Sequence, residues 1–412
     1  MSRESTGSEG DTTLPNPLKI CLYTTTALPR RGGQEIVVDF LAREFIRKGH
    51  EVLVLTPGAG RDAKAADEHL PYPVVRHPRF ISTRHLVSWY RWFLLRTFKT
   101  YRFTILHCHG LYPTGYLGAL CRERMRAPLV MTNHAGGLEA KLLRPDKSFL
   151  HDRTCHALAE ADALVAISQS TCETYGRLCQ NSNTVWNIPN GVDLDTLGKS
   201  LQRPASLEPT IMPARYVLFL GRLIRKKGAD LLIEAFARLP ADRSPVLVVA
   251  GSGPEDIALK ERVRALALSE RVKFVGWVTG DMKTYLLQNA LCSVIPSRGP
   301  EAFGLAALES YAAGRPIVAA RTAGLSELVL EGRTGYLFEP DSIDSLASTL
   351  IRLLQNPSHL AAMATESRQL AASYGWSAIA DRHIELYRFL LNRQPSQGHG
   401  PSRAASDVYE KR

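Results

Sequence analysis

Two glutamates after an apolar run are the most informative candidates for chemistry in this chain of 412 residues. Glu301 lies in a loop after the run that ends at Ser297, and Glu309 stands inside a predicted helix that begins near Gly304. The N–H groups at a helix start lack internal partners, and the helix dipole there favours an anion. Glu309 lies about 7.5 Å further along the axis, a suitable offset for a carboxylate that binds a ribose diol beneath a pyrophosphate. The alternative is a solvated loop glutamate and an ordinary helix glutamate, because two glutamates at this spacing often occur by chance.

Two other loops, each directly after a predicted strand, carry cations or paired glycines. Arg222 and Lys227 lie in the loop 221–228 and could neutralise a diphosphate. The guanidinium of Arg222 can donate two parallel hydrogen bonds, and the ammonium of Lys227 supplies a compact positive charge. Gly32 and Gly33 follow the first strand and would let the backbone approach a ligand at another helix start. A solvated basic loop and an ordinary tight turn are the alternatives for these two patterns.

These loops are positioned by short apolar runs that alternate with amphipathic helical stretches along the whole chain. This alternation is typical of parallel sheets covered by helices on both faces. The predicted strands are 19–26, 51–57, 104–109, 128–134, 163–168, 184–190, 216–221, 245–251, 272–276, 291–297, 315–320 and 335–338. We therefore predict an α/β protein with two doubly wound, Rossmann-like domains facing a central cleft, where the carboxyl ends of both sheets bind ligands.

The domain boundaries follow from changes in composition and periodicity. The segment 197–214, with three prolines and no sustained periodicity, is interpreted as the linker. The predicted units are a disordered tail (1–17), an amino-terminal acceptor-side domain (18–205), a carboxyl-terminal donor-side domain (206–375), a helix that returns to the first domain (376–391) and a second loose tail (392–412).

Composition excludes several classes of protein. With 45% hydrophobic and 22% charged residues the chain is typical of a globular protein. The polar start resembles neither a signal peptide nor a membrane span, and seven scattered cysteines without a C-x-x-C pair indicate reduced thiols, so we expect a cytoplasmic location. The run from His107 to His109 is not interpreted as a metal site, because neighbours on a strand point to opposite faces and no second cluster follows.

The net charge of +11 is unevenly distributed, since no acidic residue lies between Glu68 and Glu123. A basic surface of this kind attracts a phosphate-bearing substrate, an anionic membrane or a nucleic acid, and composition does not choose among them. Within this stretch, 84–103 interleaves Arg and Lys with aromatic residues. It is consistent with a helix at the inner face of a membrane and equally with an ordinary helix covering the sheet, and one helix can serve both purposes.

The order of the motifs carries a specific resemblance. It runs from Gly-Gly at 32–33 through Asn-His at 133–134, PNGVD at 189–193, GRL-x(3)-KG at 221–228 and AGSGP at 250–254 to the E-x(7)-E that starts at Glu301. From about Lys19 to Leu391 the chain resembles family 4 glycosyltransferases, which are retaining enzymes of the GT-B fold in the glycogen-synthase-like superfamily. The last motif is rarely met outside this group and its close GT-B relatives.

The resemblance implies roles for individual residues. It implies that Arg222 and Lys227 hold the diphosphate as it leaves, that Glu301 fixes the donor sugar and that Glu309 binds the ribose hydroxyls. It also implies that His134 faces the transferred sugar. The main-chain amides around Phe303, Gly304 and Leu305 would hold the phosphate, Gly32 and Gly33 would close on the donor, and the segment 275–278 would lie near the base.

The same resemblance implies a reaction. A hexose-type sugar would pass from a nucleotide diphosphate sugar to a hydroxyl of a glycan, a glycolipid or a small molecule, as in polysaccharide or glycolipid biosynthesis. Retention without an obvious enzymic nucleophile suggests front-side attack, with the leaving phosphate accepting the proton. The D-x-D at Asp193 to Asp195 belongs to the NGVD loop, so we expect no metal and no cofactor.

Rival functions remain at this point. A GT-B sugar-nucleotide epimerase would need an acid and a base around the sugar, and a catalytically inactive donor-binding scaffold would not need the intact set of site residues. No nucleic-acid motif accompanies the basic charge, and Gly58-Ala59-Gly60 lacks the third glycine of a dinucleotide fingerprint. The donor base, the sugar, the acceptor and the oligomeric state are not determined by the sequence.

Overall fold

The computed structural model describes residues 17–30, 32–58, 60–79, 87–134, 148–178, 185–199, 201–204, 215–240 and 244–393. Nearly all of both predicted tails and residues 205–214 of the predicted linker lie outside these residues.

Thirteen strands form two sheets within the described residues. They are β1 (Lys19–Thr24), β2 (Glu51–Pro57), β3 (Val74–His77), β4 (Ile105–His109), β5 (Leu129–Thr132), β6 (Ala163–Ala166), β7 (Val185–Asn187), β8 (Tyr216–Leu220), β9 (Val246–Ala250), β10 (Val272–Gly276), β11 (Cys292–Ile295), β12 (Ile317–Ala320) and β13 (Gly335–Phe338). The first sheet has the order β3-β2-β1-β4-β5-β6-β7 and the second β10-β9-β8-β11-β12-β13. All of the strand pairs are parallel, as the alternation predicted.

The helices lie between the strands. They are α1 (Gly33–Arg47), α2 (Arg61–Asp67), α3 (Val87–Tyr101), α4 (Tyr116–Met125), α5 (Ser148–Glu160), α6 (Gln169–Leu178), α7 (Leu194–Gly198), α8 (Ala229–Ala237), α9 (Asp256–Ala265), α10 (Gly280–Asn289), α11 (Leu305–Ala312), α12 (Ala323–Ser326), α13 (Ile343–Leu354), α14 (Pro357–Ala372) and α15 (Trp376–Asn392), with short turns at Leu111–Gly115 and Arg225–Lys227.

Alternate residues of each strand enter cores on opposite faces of a sheet. On β1, Ile20 and Leu22 pack with α1 and α15, whereas Cys21 and Tyr23 pack with α3 and α4 on the other face. The second sheet is built in the same way, with one core towards α8 and α13 and the other towards α10 and α11. Because helices cover both faces of each sheet, the strands appear in the sequence as apolar runs. The ends of the strands are the places left open for ligands.

The last helix joins the end of the chain to the first sheet. On α15, Trp376 stacks on Phe40 of α1 with ring centroids 5.3 Å apart, and Tyr387 contacts Phe45. Val192 forms an isolated β-bridge with Gly375 directly before this helix. The amino-terminal core is therefore completed by residues at the far end of the chain.

One strand was missed by the sequence analysis. Strand β3 has four residues and stands at the edge of the first sheet, beyond β2. Pro73 and Pro78 flank it, and only His77 among its residues is buried. An edge strand this short lacks the long apolar run that marks the central strands.

Candidate functional site

The loop after β11 brings together the residues that the sequence analysis placed around a diphosphate. The Lys227 Nζ lies 2.7 Å from the Glu301 Oε1, and the Ser297 hydroxyl donates to the same oxygen at 2.6 Å. The neighbouring Lys226 ties the two loops together, because its Nζ donates to the carbonyl of Pro300 and its own carbonyl accepts from the Arg298 N–H, both at 2.9 Å. The loop 221–228 and the loop that holds Glu301 thus form one unit.

The charge state of Glu301 follows from these contacts. Burial acts to raise the pKa of this carboxyl, but the charge of Lys227, hydrogen bonds from Lys227 and Ser297, and the charge of Lys226 together hold the pKa below its ordinary value. Glu301 is therefore a carboxylate at neutral pH, and it orients the ammonium of Lys227 rather than accepting a proton.

The backbone conformation of both loops depends on glycine. Gly228 has φ +69°, and a Cβ built on it would fall on the carbonyl oxygen of Pro296. Gly304 has φ +110° and caps α11, which begins at Leu305 as predicted from the sequence. Only glycine adopts such angles without strain, so the chain can turn sharply and present the amides before α11.

Glu309 lies on α11, as predicted. Its Oε1 accepts from the Nζ of Lys283 on α10 at 2.6 Å, and both side chains are largely shielded from solvent. Arg222, in contrast, is exposed and forms no ion pair with any residue in the described part of the chain. Its guanidinium is thus available to an anion, whereas the carboxylate of Glu309 already has a cationic partner.

The paired glycines lie beside the start of α11. A Cβ built on Gly33 would stand 3.4 Å from the side chain of Leu305, so the two halves of the molecule meet there. The next residue, Gln34, donates through Nε2 to the Thr24 hydroxyl at 2.7 Å and to the carbonyl of His109 at 3.0 Å. The glycine loop is therefore tied to the carboxyl ends of β1 and β4.

His134 lies after β5 at the same end of the first sheet. Its Nε2 is 2.8 Å from Nδ1 of His109, and the two rings lie edge to edge in nearly parallel planes, with centroids 5.1 Å apart. Burial lowers the pKa of His134 to about 4, so the ring is neutral at pH 7.

Phe303, also assigned to the phosphate-binding backbone, has a buried side chain that packs against Tyr374. Its ring therefore anchors the loop, and only its main chain is left to face a ligand.

The two motifs that resemble metal ligands have structural roles in the fold. Asp193 of the D-x-D caps α7, where its Oδ1 accepts from the N–H of Thr196 at 3.0 Å. His107 and His109 lie on one face of β4, with ring centroids 4.3 Å apart. No group of three or more His, Cys, Asp or Glu with the geometry of a metal site occurs within the described ranges.

Comparisons with known proteins cover both halves of the chain. The model for Glycosyltransferase Family 4 matches residues 31–196, and the model for Glycosyl transferases group 1 matches residues 208–370. A D-inositol 3-phosphate glycosyltransferase of Streptosporangium roseum is 30% identical over 389 residues, which make up 86% of this chain and 88% of the relative. The chain belongs to glycosyltransferase family 4.

Membership of this family makes the protein a transferase of class EC 2.4, and further relatives agree with it. An uncharacterised glycosyltransferase of Methanocaldococcus jannaschii is 27% identical over 391 residues, 91% of this chain and 99% of the relative. The solved sucrose-phosphate synthase of Thermosynechococcus elongatus has a TM-score of 0.77 at 24% identity, covering 91% of this chain and 99% of that one. Anabaena HepE in complex with UDP has a TM-score of 0.75 at 22% identity, covering 90% and 100%. The predicted α/β GT-B fold is confirmed.

Sequence reasoning missed several partners of the glycosyltransferase's candidate site. Lys283 was not singled out, although it is the cation beside Glu309, and His109 was considered only as a metal ligand. Gln34 and Ser297 lie within the segments that the sequence analysis singled out, but neither was given a role. The one available signal was position, because His109 ends β4 and Ser297 follows β11 by two residues, at the carboxyl ends of strands where ligands bind.

Proposed function

We propose that this glycosyltransferase moves a hexose-type sugar from a nucleotide diphosphate sugar to a hydroxyl of a glycan, glycolipid or small molecule, with retention of anomeric configuration. The observation that carries the proposal is the ammonium of Lys227, held 2.7 Å from Glu301 in the loop that leads into α11. A cation and a helix start beside one another favour the negative charge that grows on a departing diphosphate.

The remaining residues fit the same reaction. Arg222 is exposed with its guanidinium available, so it would clamp the phosphates bidentately. Glu301 would orient the sugar, and Glu309 would bind the ribose, exchanging its contact with Lys283 for the diol. The amides of Phe303, Gly304 and Leu305 would receive the phosphate, and Gly32 with Gly33 would close over the donor. Anabaena HepE has been solved with UDP and with UDP-glucose, which supports a nucleotide sugar as the donor class.

The stereochemical proposal rests on the nature of the side chains near the sugar. Glu301 is paired with Lys227, and His134 is neutral and paired with His109, so neither is a free nucleophile. Front-side attack, in which the leaving phosphate accepts the proton of the acceptor, needs no enzymic nucleophile. With Arg222 and Lys227 neutralising the diphosphate, we expect turnover to be independent of divalent metal and of any cofactor.

The test begins with a thermal-shift panel of UDP, GDP and ADP, because a ligand at a hundred times its Kd stabilises the folded state by about 2.7 kcal/mol. The matching sugar nucleotides are then followed by NMR for slow hydrolysis, in which a retaining enzyme first releases the sugar with the anomeric configuration of the donor. Binding without any turnover would indicate an inactive scaffold, and a new sugar nucleotide would indicate an epimerase. No stabilisation by any nucleotide would refute the proposal.

We further propose peripheral contact with an anionic membrane, at the inner face of the cytoplasmic membrane. Trp92 projects from α3 with 52% of its surface exposed, and Arg96 lies over its ring. A shallow depression of about 850 Å³ beside it is lined by four cations and no acidic residue: Arg91, Arg96, Lys99 and Arg124. The opposite face of α3 packs on the first sheet through Tyr90 and Leu94, so the helix covers the core as well.

The surface is smaller than the sequence suggested. Arg76 is paired with Asp67 at 2.6 Å, and Arg122 contacts Glu160 and Asp162, so two cations of the stretch between Glu68 and Glu123 are neutralised. No helix among the described residues is long and apolar enough to cross a bilayer. Contact would therefore be made by the exposed face of α3.

Each basic residue near an anionic bilayer contributes about 1 kcal/mol. The triple change R91Q/R96Q/K99Q is therefore expected to weaken binding to phosphatidylserine vesicles at low salt roughly hundredfold. Arg264→Gln, an exposed cation of the second domain, is the control and should leave binding unchanged. Equal binding of the wild type to neutral and anionic vesicles would refute the membrane contact.

A further inference from the structure

Four histidines form a cluster under the candidate site, three of them buried and His134 half-buried, and the proposed reaction uses only His134. His107 and His109 lie on β4, His134 follows β5 and His383 comes from α15. We infer that His109 is a positioning residue that holds the imidazole of His134 in its working orientation. The inference rests on the proposed function, in which His134 faces the transferred sugar.

The contact between His109 and His134 is a hydrogen bond between two neutral rings. Burial, with smaller effects from His107, His134 and His383, lowers the pKa of His109 well below its ordinary value, and burial lowers the pKa of His134 to about 4. A neutral imidazole has one N–H and one bare nitrogen. The two rings can therefore share one proton across the 2.8 Å between His109 Nδ1 and His134 Nε2, without charge repulsion.

The ring of His109 is itself held in place by the neighbouring ring of His107. Burial raises the pKa of Tyr387, so its phenol keeps its proton, and its hydroxyl forms a hydrogen bond of 2.7 Å with Nδ1 of His107. Nε2 of His107 forms a second hydrogen bond of 2.7 Å with the Thr132 hydroxyl, so both ring nitrogens of His107 are held. This fixed ring stacks on His109 at a centroid distance of 4.3 Å. Tyr387 of the last helix therefore braces the pair at the carboxyl end of β4.

The cluster is also linked to the donor side. The carbonyl of His109 accepts from Gln34, whose neighbour Gly33 lies against Leu305 at the start of α11. Nε2 of His134 is occupied by His109, and its Nδ1 is buried without a hydrogen-bond partner among the described residues. The ring of His134 is therefore held at one nitrogen by His109, which is the contact that a positioning residue must make.

Two variants of His109 separate positioning from simple packing. The side-chain amide of Asn places a polar atom close to the Nδ1 position, whereas Leu fills a similar volume with no polar atom. His109→Leu should lower kcat for donor hydrolysis roughly hundredfold, because a misplaced catalytic group costs about that factor, with little change in the KM for the donor. His109→Asn should recover most of the loss, and His134→Ala gives the value for a site without the ring. Thermal unfolding of both His109 variants reports whether the fold is intact.

A second readout does not depend on turnover. The ¹⁵N shifts of the His134 ring nitrogens should change in His109→Leu and remain close to wild type in His109→Asn. Wild-type kcat in His109→Leu, or equal losses in the Leu and Asn variants, would overturn the inference. A wild type that neither binds nor hydrolyses any sugar nucleotide would instead overturn the proposed function, and the ring shifts would still show whether His109 orients His134.

Discussion

Replacing Lys227 by Met tests the central contact of the candidate site. The change removes the ammonium that lies 2.7 Å from Glu301 and keeps an unbranched side chain. Loss of one preorganised group that stabilises charge in the transition state costs about 3 kcal/mol, so kcat/KM should fall roughly 150-fold. The assay is initial-rate donor hydrolysis with the nucleotide sugar that stabilises the wild type.

The same variant should change the pH dependence of donor binding. In the wild type, Lys227 opposes the effect of burial and keeps the pKa of Glu301 below its ordinary value, so the carboxylate stays ionised as the pH falls towards that lowered pKa. Without Lys227 the effect of burial is less opposed and the pKa rises. Donor affinity of the variant should therefore decrease between about pH 7 and pH 5, while that of the wild type stays nearly constant.

Lys226→Met is the matched control. Lys226 is exposed, its Nζ contacts the carbonyl of Pro300, and its charge has the smallest of the effects found on Glu301. An exposed cation contributes about 1 kcal/mol or less, so this change should lower kcat/KM by roughly fivefold at most. If Lys227→Met kept kcat/KM close to that of Lys226→Met, with both variants folded, the role of Lys227 in charge stabilisation would be wrong.

Three further changes test other parts of the structure. Gly228→Ala should lower the free energy of unfolding, measured by denaturant titration, by about 2 kcal/mol or more, because a residue with a Cβ is strained at φ +69° and this Cβ would meet the Pro296 carbonyl. Gly176→Ala on α6 is the control. A Cβ there has nothing within 4 Å, so the change should be neutral or stabilising. Glu309→Gln should raise the donor KM roughly tenfold with little change in kcat, because a charge-assisted hydrogen bond to the ribose contributes about 1.5 kcal/mol in ground and transition states alike; an unchanged KM would exclude Glu309 from donor binding. Burial lowers the pKa of His383 to about 3, so the unfolded chain takes up a proton there that the folded chain does not, and stability is lost as the pH falls below about 6.5. His383→Phe should reduce the slope of unfolding free energy against pH by about 1.4 kcal/mol per unit, and an unchanged slope between pH 6 and 5 would contradict this pKa.

Local patterns in the sequence were enough to predict the scaffold. The runs at Glu51–Pro57, Val272–Gly276 and Gly335–Phe338 are strands over the predicted ranges, because short, mainly apolar runs bounded by turn residues favour strands. The start of α11 after Gly304 and the position of Glu309 on it were predicted equally well, since a glycine between a loop and helix-forming residues is a local signal. In such cases the residues that decide the structure are near neighbours along the chain.

The pairing of the functional groups was decided by tertiary structure. Lys227 contacts Glu301 across 74 residues of sequence, and Tyr387 contacts His107 across 280. Hydrophobic periodicity carries no information about which residues meet at such separations. The fold also determined which cations contribute to the basic surface that composition suggested. Arg76 lies against Asp67 and does not contribute to it.

Sequence alone therefore determined most of the elements, the short edge strand β3 excepted, and which loops follow the carboxyl ends of the strands. Only the folded chain determined which side chain each charged or polar residue meets. The physical reason is that hydrophobic periodicity acts within one element, whereas hydrogen bonds, ion pairs and pKa shifts depend on groups that the topology brings within a few ångströms of each other.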